Sequence, residues 1–540
     1  MRPTWRWKTE LPNHHKDGEK LKAISFHGNQ PKASDRRHPP SNHCITPSIY
    51  FCAILGDPKD FGFHLSDHSY EDLTNKTGIR REQARLDHLP GGGKFIFCPL
   101  RAFFNESIFQ EADTMIRRSA FLLILSLAAM AVAFVGVAQD APTEAPAGFD
   151  TPTLVTNPGS QSSSNGIAEP PGDTYVHDQK TYEEIEDVTT GLGPLYNGRS
   201  CAECHQNPVS GGASQFTELR VGHNDANGNF VNPTVPIDNG LSSITGRSII
   251  NDRAVLPAAQ EHIPVTENIR ALRAALNTLG DGFVEAIDDS TLLAIAQQQP
   301  GLSDGRIHGL ANEVPVLEAP GQNRIGRFGW KDQHSSLLSF VGDAYLNEMG
   351  VTNRLRPHDT TTIGKITPDP EDTPDNLGLA DIDHFAQFVR GTKVPPRDTT
   401  LAATPDAVAG AALFEKIGCA TCHVSSIVTA PAGTVINGGA FSVPAALGNK
   451  IIHPYGDYLL HDIGTGDGIV QNPPQETANK MRTAPLWGLR ERPRFMHDLR
   501  SLTLGEAIER HRGEAEDVER HFDRLSAGEK QQILTFLNSL

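Results

Sequence analysis

The sequence predicts an all-α protein of two domains joined by long loops, and three observations predict it. The five-residue word CAECH at 201–205 returns as CATCH at 419–423, 218 positions on, so the chain carries two similarly built centres. Apolar residues recur near helical spacing in several stretches, among them DAVAGAALFEKIG directly before Cys419, with Val408, Ala411, Ala412 and Ile417. No convincing strand ladder is present, while proline-rich loops are frequent. A chain of 540 residues has room for about three or four domains on length alone.

Taken in order, residues 1–114 are rich in His, Pro and Arg, hold Cys44, Cys52 and Cys98, and show no sustained period. They read as an N-terminal extension, either a start-site artefact or a disordered stretch. Residues 115–138 (MIRRSAFLLILSLAAMAVAFVGVA) follow the order of a secretory signal: a basic start, an apolar middle, and small residues at Gly136 and Ala138. The 20 residues from Ser119 to Ala138 are also just long enough for an uncleaved anchor; the small-residue end favours cleavage. Initiation at Met115 would then place the mature chain in the periplasm, a membrane-anchored form being the alternative. Residues 139–172, rich in Pro, Ser, Thr and Gly, form a flexible lead-in. The first domain spans 173–395 and contains the first word together with three helical stretches, ENIRALRAALNTL, DSTLLAIAQQQ and LADIDHFAQFVRGT. The second spans 396–540, holds the second word and closes on the amphipathic GEKQQILTFLNSL.

Charge divides at the same place. Residues 1–138 carry 18 Lys+Arg against 14 Asp+Glu, and the rest 30 against 51. So acidic a body lacks the basic footprint that nucleic acid requires, and suits weak, salt-screened steering of cationic partners.

Beyond residue 138 four cysteines remain, all within the two words. An exported chain without a spare cysteine has none for disulfides. Cysteines at i and i+3 lie on one side of a helical turn, where each can form a thioether with a haem vinyl group. The histidine that follows then sits beneath the iron. This is the attachment signal of c-type haem, and imidazole is an ordinary ligand of haem iron. A zinc site would have the two pairs converge on one metal, and a thiol redox motif would need a βαβ context. Two covalent haems are therefore expected, on Cys201 and Cys204 with His205, and on Cys419 and Cys422 with His423. Export fits, since thioether haem is assembled outside the bacterial cytoplasm. The helix leading into Cys419 is that of a cytochrome c-like domain, and two such haem domains make up the expected fold.

The stretches LGPLYNGRSCAECHQNP, GRFGWKDQ with YLNEMG, HPYGDYLLHDIG, and RTAPLWGLR with FMHDLRSLTLGEAIERHRGEA resemble the bacterial dihaem oxidoreductases once called thiol oxidoreductases, distant relatives of dihaem cytochrome c peroxidases. The resemblance covers about 175–540 and implies a division of labour. Electrons enter at the second haem, from a small redox protein or a quinol-derived donor, and a small oxidant such as peroxide is reduced at the first. It implies that Trp330 bridges the haems and that Glu348 acts on peroxide as acid and base, a transfer a positioned carboxylate can perform. The glutamine that relatives place between those positions is missing from LLSFV, which weighs against peroxidase activity.

Distal ligands follow from the same resemblance. Relatives place the second haem's distal ligand 14 residues beyond the histidine of an HDG-like turn; here that turn is MHDL at His497, and the position is His511. Met496 and His461 compete. For the first haem His223, 18 residues after His205, competes with His262, His308 and an open position. His453 and His461 would brace the second haem. An interdomain calcium would need a Thr-x-Pro before the turn, where this chain has Arg492 and Arg494 in ERPRFMH, so calcium is doubtful. Two alternatives stand beside the peroxidase-like reading: a non-catalytic electron-transfer dihaem cytochrome and a dihaem oxygenase.

Overall fold

The computed structural model describes residues 141–149 and 173–540. The expected extension at 1–114, the signal at 115–138 and most of the lead-in lie outside the described residues. Among those described, no helix is long and apolar enough to cross a membrane.

The all-α expectation is overturned: among the described residues 31% are helical and 17% are in strands, in many small sheets. The helices used below are α1 (Tyr175–Glu183), α2 (Asp289–Leu302), α3 (Leu337–Met349), α4 (Asp381–Gly391), α5 (Pro405–Ile417), α6 (Leu504–Glu509) and α7 (Ala527–Leu537). Four strands form one antiparallel sheet: β1 (Thr217–Asn224) pairs with β2 (Phe230–Val231), β3 (Ile249–Ile250) and β4 (Ile269–Ala274). Most other strands are two or three residues long, too short to leave a two-residue period in the sequence.

β4 replaces the helix expected over ENIRALRAALNTL. Its residues alternate, Arg270 and Leu272 outward, Ala271 and Arg273 inward. The inward guanidinium of Arg273 bonds the buried carboxylate of Asp467 at 2.7 Å, a distant partner that overrides local helix preference. The other stretches behave as read: DSTLLAIAQQQ is α2, LADIDHFAQFVRGT is α4 and DAVAGAALFEKIG is α5.

The two largest of five hydrophobic cores among the described residues organise most of the helices. The larger joins Tyr175 and Tyr182 of α1, Phe385 and Phe388 of α4, and Tyr345 of α3 with residues drawn from 427–487, such as Tyr458 and Trp487. The smaller packs Phe414 and Ile417 of α5 on Ile533, Phe536 and Leu537 of α7, with Phe522. α5 begins on a Thr404 cap with Pro405 in its first turn. It crosses α7 so closely that a Cβ on Gly410 would stand 2.0 Å from the Gln532 carbonyl oxygen. It ends on Gly418 at φ +104°, which turns the chain directly into Cys419.

Candidate haem sites

At the second word, Cys419–Thr421 forms a single 3₁₀ turn that presents His423, whose backbone N–H bonds the Cys419 carbonyl at 3.0 Å. The His423 ring lies 3.0 Å through Nδ1 from the Tyr455 carbonyl. His511, just past α6, lies 2.9 Å through Nδ1 from the Ala507 carbonyl. The tautomer that donates to a carbonyl from Nδ1 leaves the Nε2 lone pair free to bind metal. The two ring centres are 6.5 Å apart. Imidazoles held by one metal from opposite sides, with bonds of about 2.0 Å, have ring centres about 6 Å apart, so the spacing suits one iron between them. Burial, and then the neighbouring His511, push His423 down to about 4, and burial lowers His511. Both rings are therefore neutral, the form that ligates.

A cavity of about 800 Å³ opens between them, lined by Cys419, Cys422, His423 and His511, within the range of about 300–1,000 Å³ that takes a cofactor-sized ligand. Arg482 and Arg492 also line it. Burial, with Arg482 nearby, pushes Arg492 down to about 10, and no carboxylate relieves it. A guanidinium in that position suits the carboxylates of a haem, so the residues present fit the group. Met496 and His461 share the cavity. His461 has both ring nitrogens engaged, Nε2 with Asp457 at 2.9 Å and Nδ1 with Glu514 at 2.9 Å. Against burial, Asp457 above all holds it well above its usual value, so it is a cation without a free lone pair.

The first word is built alike and furnished differently. Ser200 caps the turn Cys201–Cys204, accepting from Ala202 N–H at 3.2 Å, and the His205 Nδ1 lies 2.7 Å from the Leu276 carbonyl. A cavity of about 470 Å³ adjoins Cys204, and neither histidine nor methionine lines it. Arg199, Glu203 and Arg253 do. Burial, and then the Glu348 carboxyl, push the Cys204 thiol up to about 12, which places Glu348 beside this word. The end of α3 holds Glu348 there: its carbonyl accepts from Asn197 N–H at 2.6 Å and Gly198 N–H at 3.2 Å. Burial and the Glu218 carboxylate raise Glu348 well above the carboxylate range. Against burial, Arg220 holds Glu218 below it. Of the pair, Glu348 keeps the proton.

The structure does not bring His223 to this cavity. It stands near the far end of β1 with Nδ1 2.7 Å from Glu267. His262 bonds Asp238, and His308 has Nε2 2.6 Å from the Gly305 carbonyl. His453 is exposed and bonds Ser425 and Glu144. Trp330 lines the larger cavity, its ring centre 6.0 Å from that of His497. Its indole N–H donates to the Ala274 carbonyl at 2.9 Å. Ala274 is two residues from Leu276, whose carbonyl holds His205. The roles of these carbonyls, and of Arg492, escaped sequence reasoning: a backbone acceptor leaves no mark on residue type.

Residues 265–540, just over half the chain, match the family described as "Di-haem oxidoreductase, putative peroxidase". The chain belongs to this family. The match takes in the second word; the first lies ahead of it. Among solved structures, this di-haem oxidoreductase is similar to hydrazine synthase of Kuenenia stuttgartiensis, pressurised with xenon at 20 bar. That likeness has 13% identity and a TM-score of 0.32, covering 67% of this chain and 86% of that one. No curated protein matches the sequence.

Proposed function

We propose that the protein is an exported dihaem c-type cytochrome enzyme that takes electrons in at the second word and passes them to a small oxidant such as peroxide at the first. Haem bound at each word supplies the redox chemistry. Cys201, Cys204, Cys419 and Cys422 anchor the two groups, and His205 and His423 bind beneath them. The observation that carries the reading is the asymmetry of the two sites. His511 faces His423 across the cavity at the second word, while a carboxyl raised well above its usual range, Glu348, stands close to the first.

On this reading His423 and His511 close the second centre, leaving it to carry electrons. The first keeps a position open, and Glu348 holds the proton that peroxide cleavage requires. On the same reading Trp330, whose indole N–H is held on the Ala274 carbonyl, bridges the centres. The acidic body, with a chain net charge of −17, steers a cationic donor such as a small redox protein. The arginine-leading, apolar segment at 115–138 supports export.

Mass spectrometry of the denatured mature chain should find two haems retained, and its optical spectrum should contain one low-spin centre and one that responds to cyanide or peroxide. A chain without covalent haem, or one low-spin and indifferent to cyanide in every redox state, overturns the proposal.

A further inference from the structure

Away from both words, four side chains converge where α1 meets α4. Asp173, His177 and Asp178 come from the start of α1 and its preceding turn, and His384 comes from α4. One ligand atom of each lies within 4.8 Å of the others. His177 Nδ1 is 3.0 Å from Asp173 Oδ1, and His384 Nδ1 is 2.7 Å from Asp178 Oδ1 and 3.7 Å from Asp173 Oδ2. The two imidazole rings meet edge to face with centres 4.7 Å apart.

The cluster is unbalanced in two ways. Asp173 is 4% and Asp178 0% exposed, yet Oδ2 of each has no hydrogen-bond partner. A buried carboxylate oxygen left unpaired is costly, because it has given up its hydration for nothing. The charged neighbours acting on Asp178 and His384 are each other, Asp173 and Asp375, with no Lys or Arg among them. Two carboxylates thus share a buried site with two imidazoles and no fixed cation.

We propose that Asp173, His177, Asp178 and His384 form a binding site for a divalent transition ion of the zinc class that ties the start of α1 to α4. Two imidazole nitrogens and two carboxylate oxygens are a donor set for a borderline ion in four-coordinate geometry. Bonds of about 2.0–2.2 Å set ligand atoms roughly 3.3–3.6 Å apart, so the two close His–Asp pairs, at 2.7 and 3.0 Å, must open slightly while the wider pairs, within 4.8 Å, close. The ion uses the orphaned oxygens and neutralises both carboxylates. Support around the ligands is already in place. Asp375 Oδ2 stands 3.7 Å from His384 Nε2, on the side of the ring away from the cluster, beyond hydrogen-bond reach as it stands but placed so that a small shift would give the carboxylate–histidine–metal arrangement that fixes a ligand's tautomer. Thr174 N–H holds Asp173 Oδ1 at 2.8 Å. His177, with its side chain 45% exposed, is the way in. The site is structural: α1 and α4 already pack through Tyr175, Tyr182, Phe385 and Phe388, and the ion fastens one end of that pair.

The test uses the haem-loaded mature protein, stripped with chelator and titrated with Zn²⁺ by calorimetry, with metal content read by mass spectrometry. One zinc per chain should bind in addition to the haem iron, and Tm should rise by about 5 °C at a hundredfold excess over Kd. His384→Gln should abolish both effects. Should that buried variant fail to fold, His177→Ala, at a half-exposed ring, decides alone: it should weaken zinc at least tenfold while leaving the haem spectrum unchanged. Absence of stoichiometric zinc in the parent, or zinc binding that survives His177→Ala undiminished, overturns the site.

Discussion

The two words differ by one letter, Glu203 against Thr421, and their histidines are held alike, each ring on a backbone carbonyl. Apart from that letter, what separates the centres lies outside the words. Around the second, α6 delivers a neutral imidazole opposite His423 and the cavity is lined by arginines. Around the first, the sheet and the end of α3 deliver Glu218, Arg220 and Glu348. On the proposed reading the word fixes attachment, and the elements packed over it decide whether a centre is closed for electron transfer or left open for chemistry. The sharpest way to break that contrast is to remove the second imidazole. His511→Ala should turn one low-spin haem high-spin and shift its potential, making the second centre resemble the first. His511→Met should restore six-coordination at a higher potential, since Met/His ligation raises it. A low-spin spectrum untouched by His511→Ala would erase the contrast.

How much of this was readable beforehand follows from where each signal resides. The words and the helix leading into Cys419 are local patterns, and they appear where the sequence places them. His511 reaches the second cavity because a short helix with a Thr503 cap and Glu506 in its first turn fixes its direction. The strands were not readable. β4 depends on Arg273 finding Asp467, 194 residues away, and a period of two over six residues competes poorly with the helical reading of the same letters. Nor could spacing place His223. Its 18-residue offset ignores that β1 is extended: at about 3.4 Å per residue the strand carries His223 roughly 20 Å from Thr217, towards Glu267 and off the cavity.

The next largest effect belongs to the first centre. Glu348→Gln keeps the shape and the hydrogen-bonding reach of the side chain but cannot release a proton. Peroxide turnover should fall by about 10²-fold or more, while the resting spectrum stays unchanged. The pH profile gives an independent check. Burial and Glu218 raise Glu348, so its proton is lost only as pH climbs through the raised value. Peroxide turnover by the parent should therefore persist at pH 7 and decline on the alkaline side, and that alkaline limb should vanish in Glu348→Gln. A variant as active as the parent would leave the first centre with no acid and the contrast with no chemical content.

The smallest effect tests the second centre from its other side. Met496 lines the larger cavity and is the one thioether close to the HDG-like turn, so it is the natural rival of His511. Its backbone sits at φ +67°, a left-handed conformation that costs an L-residue about 1–2 kcal/mol. Alanine carries the same Cβ and meets the same backbone cost, so Met496→Ala isolates the side chain. Met496 is half-buried, and the loss in stability should be about 1 kcal/mol, below the 2–5 kcal/mol of a fully buried methionine. The low-spin signal and the potential should stay where they are. Met496→Gly should recover part of that stability by relieving the backbone, again without spectral change. If Met496→Ala abolishes the low-spin signal and His511→Ala leaves it intact, the iron is held by sulfur. The 6.5 Å spacing of His423 and His511 would then reflect packing alone.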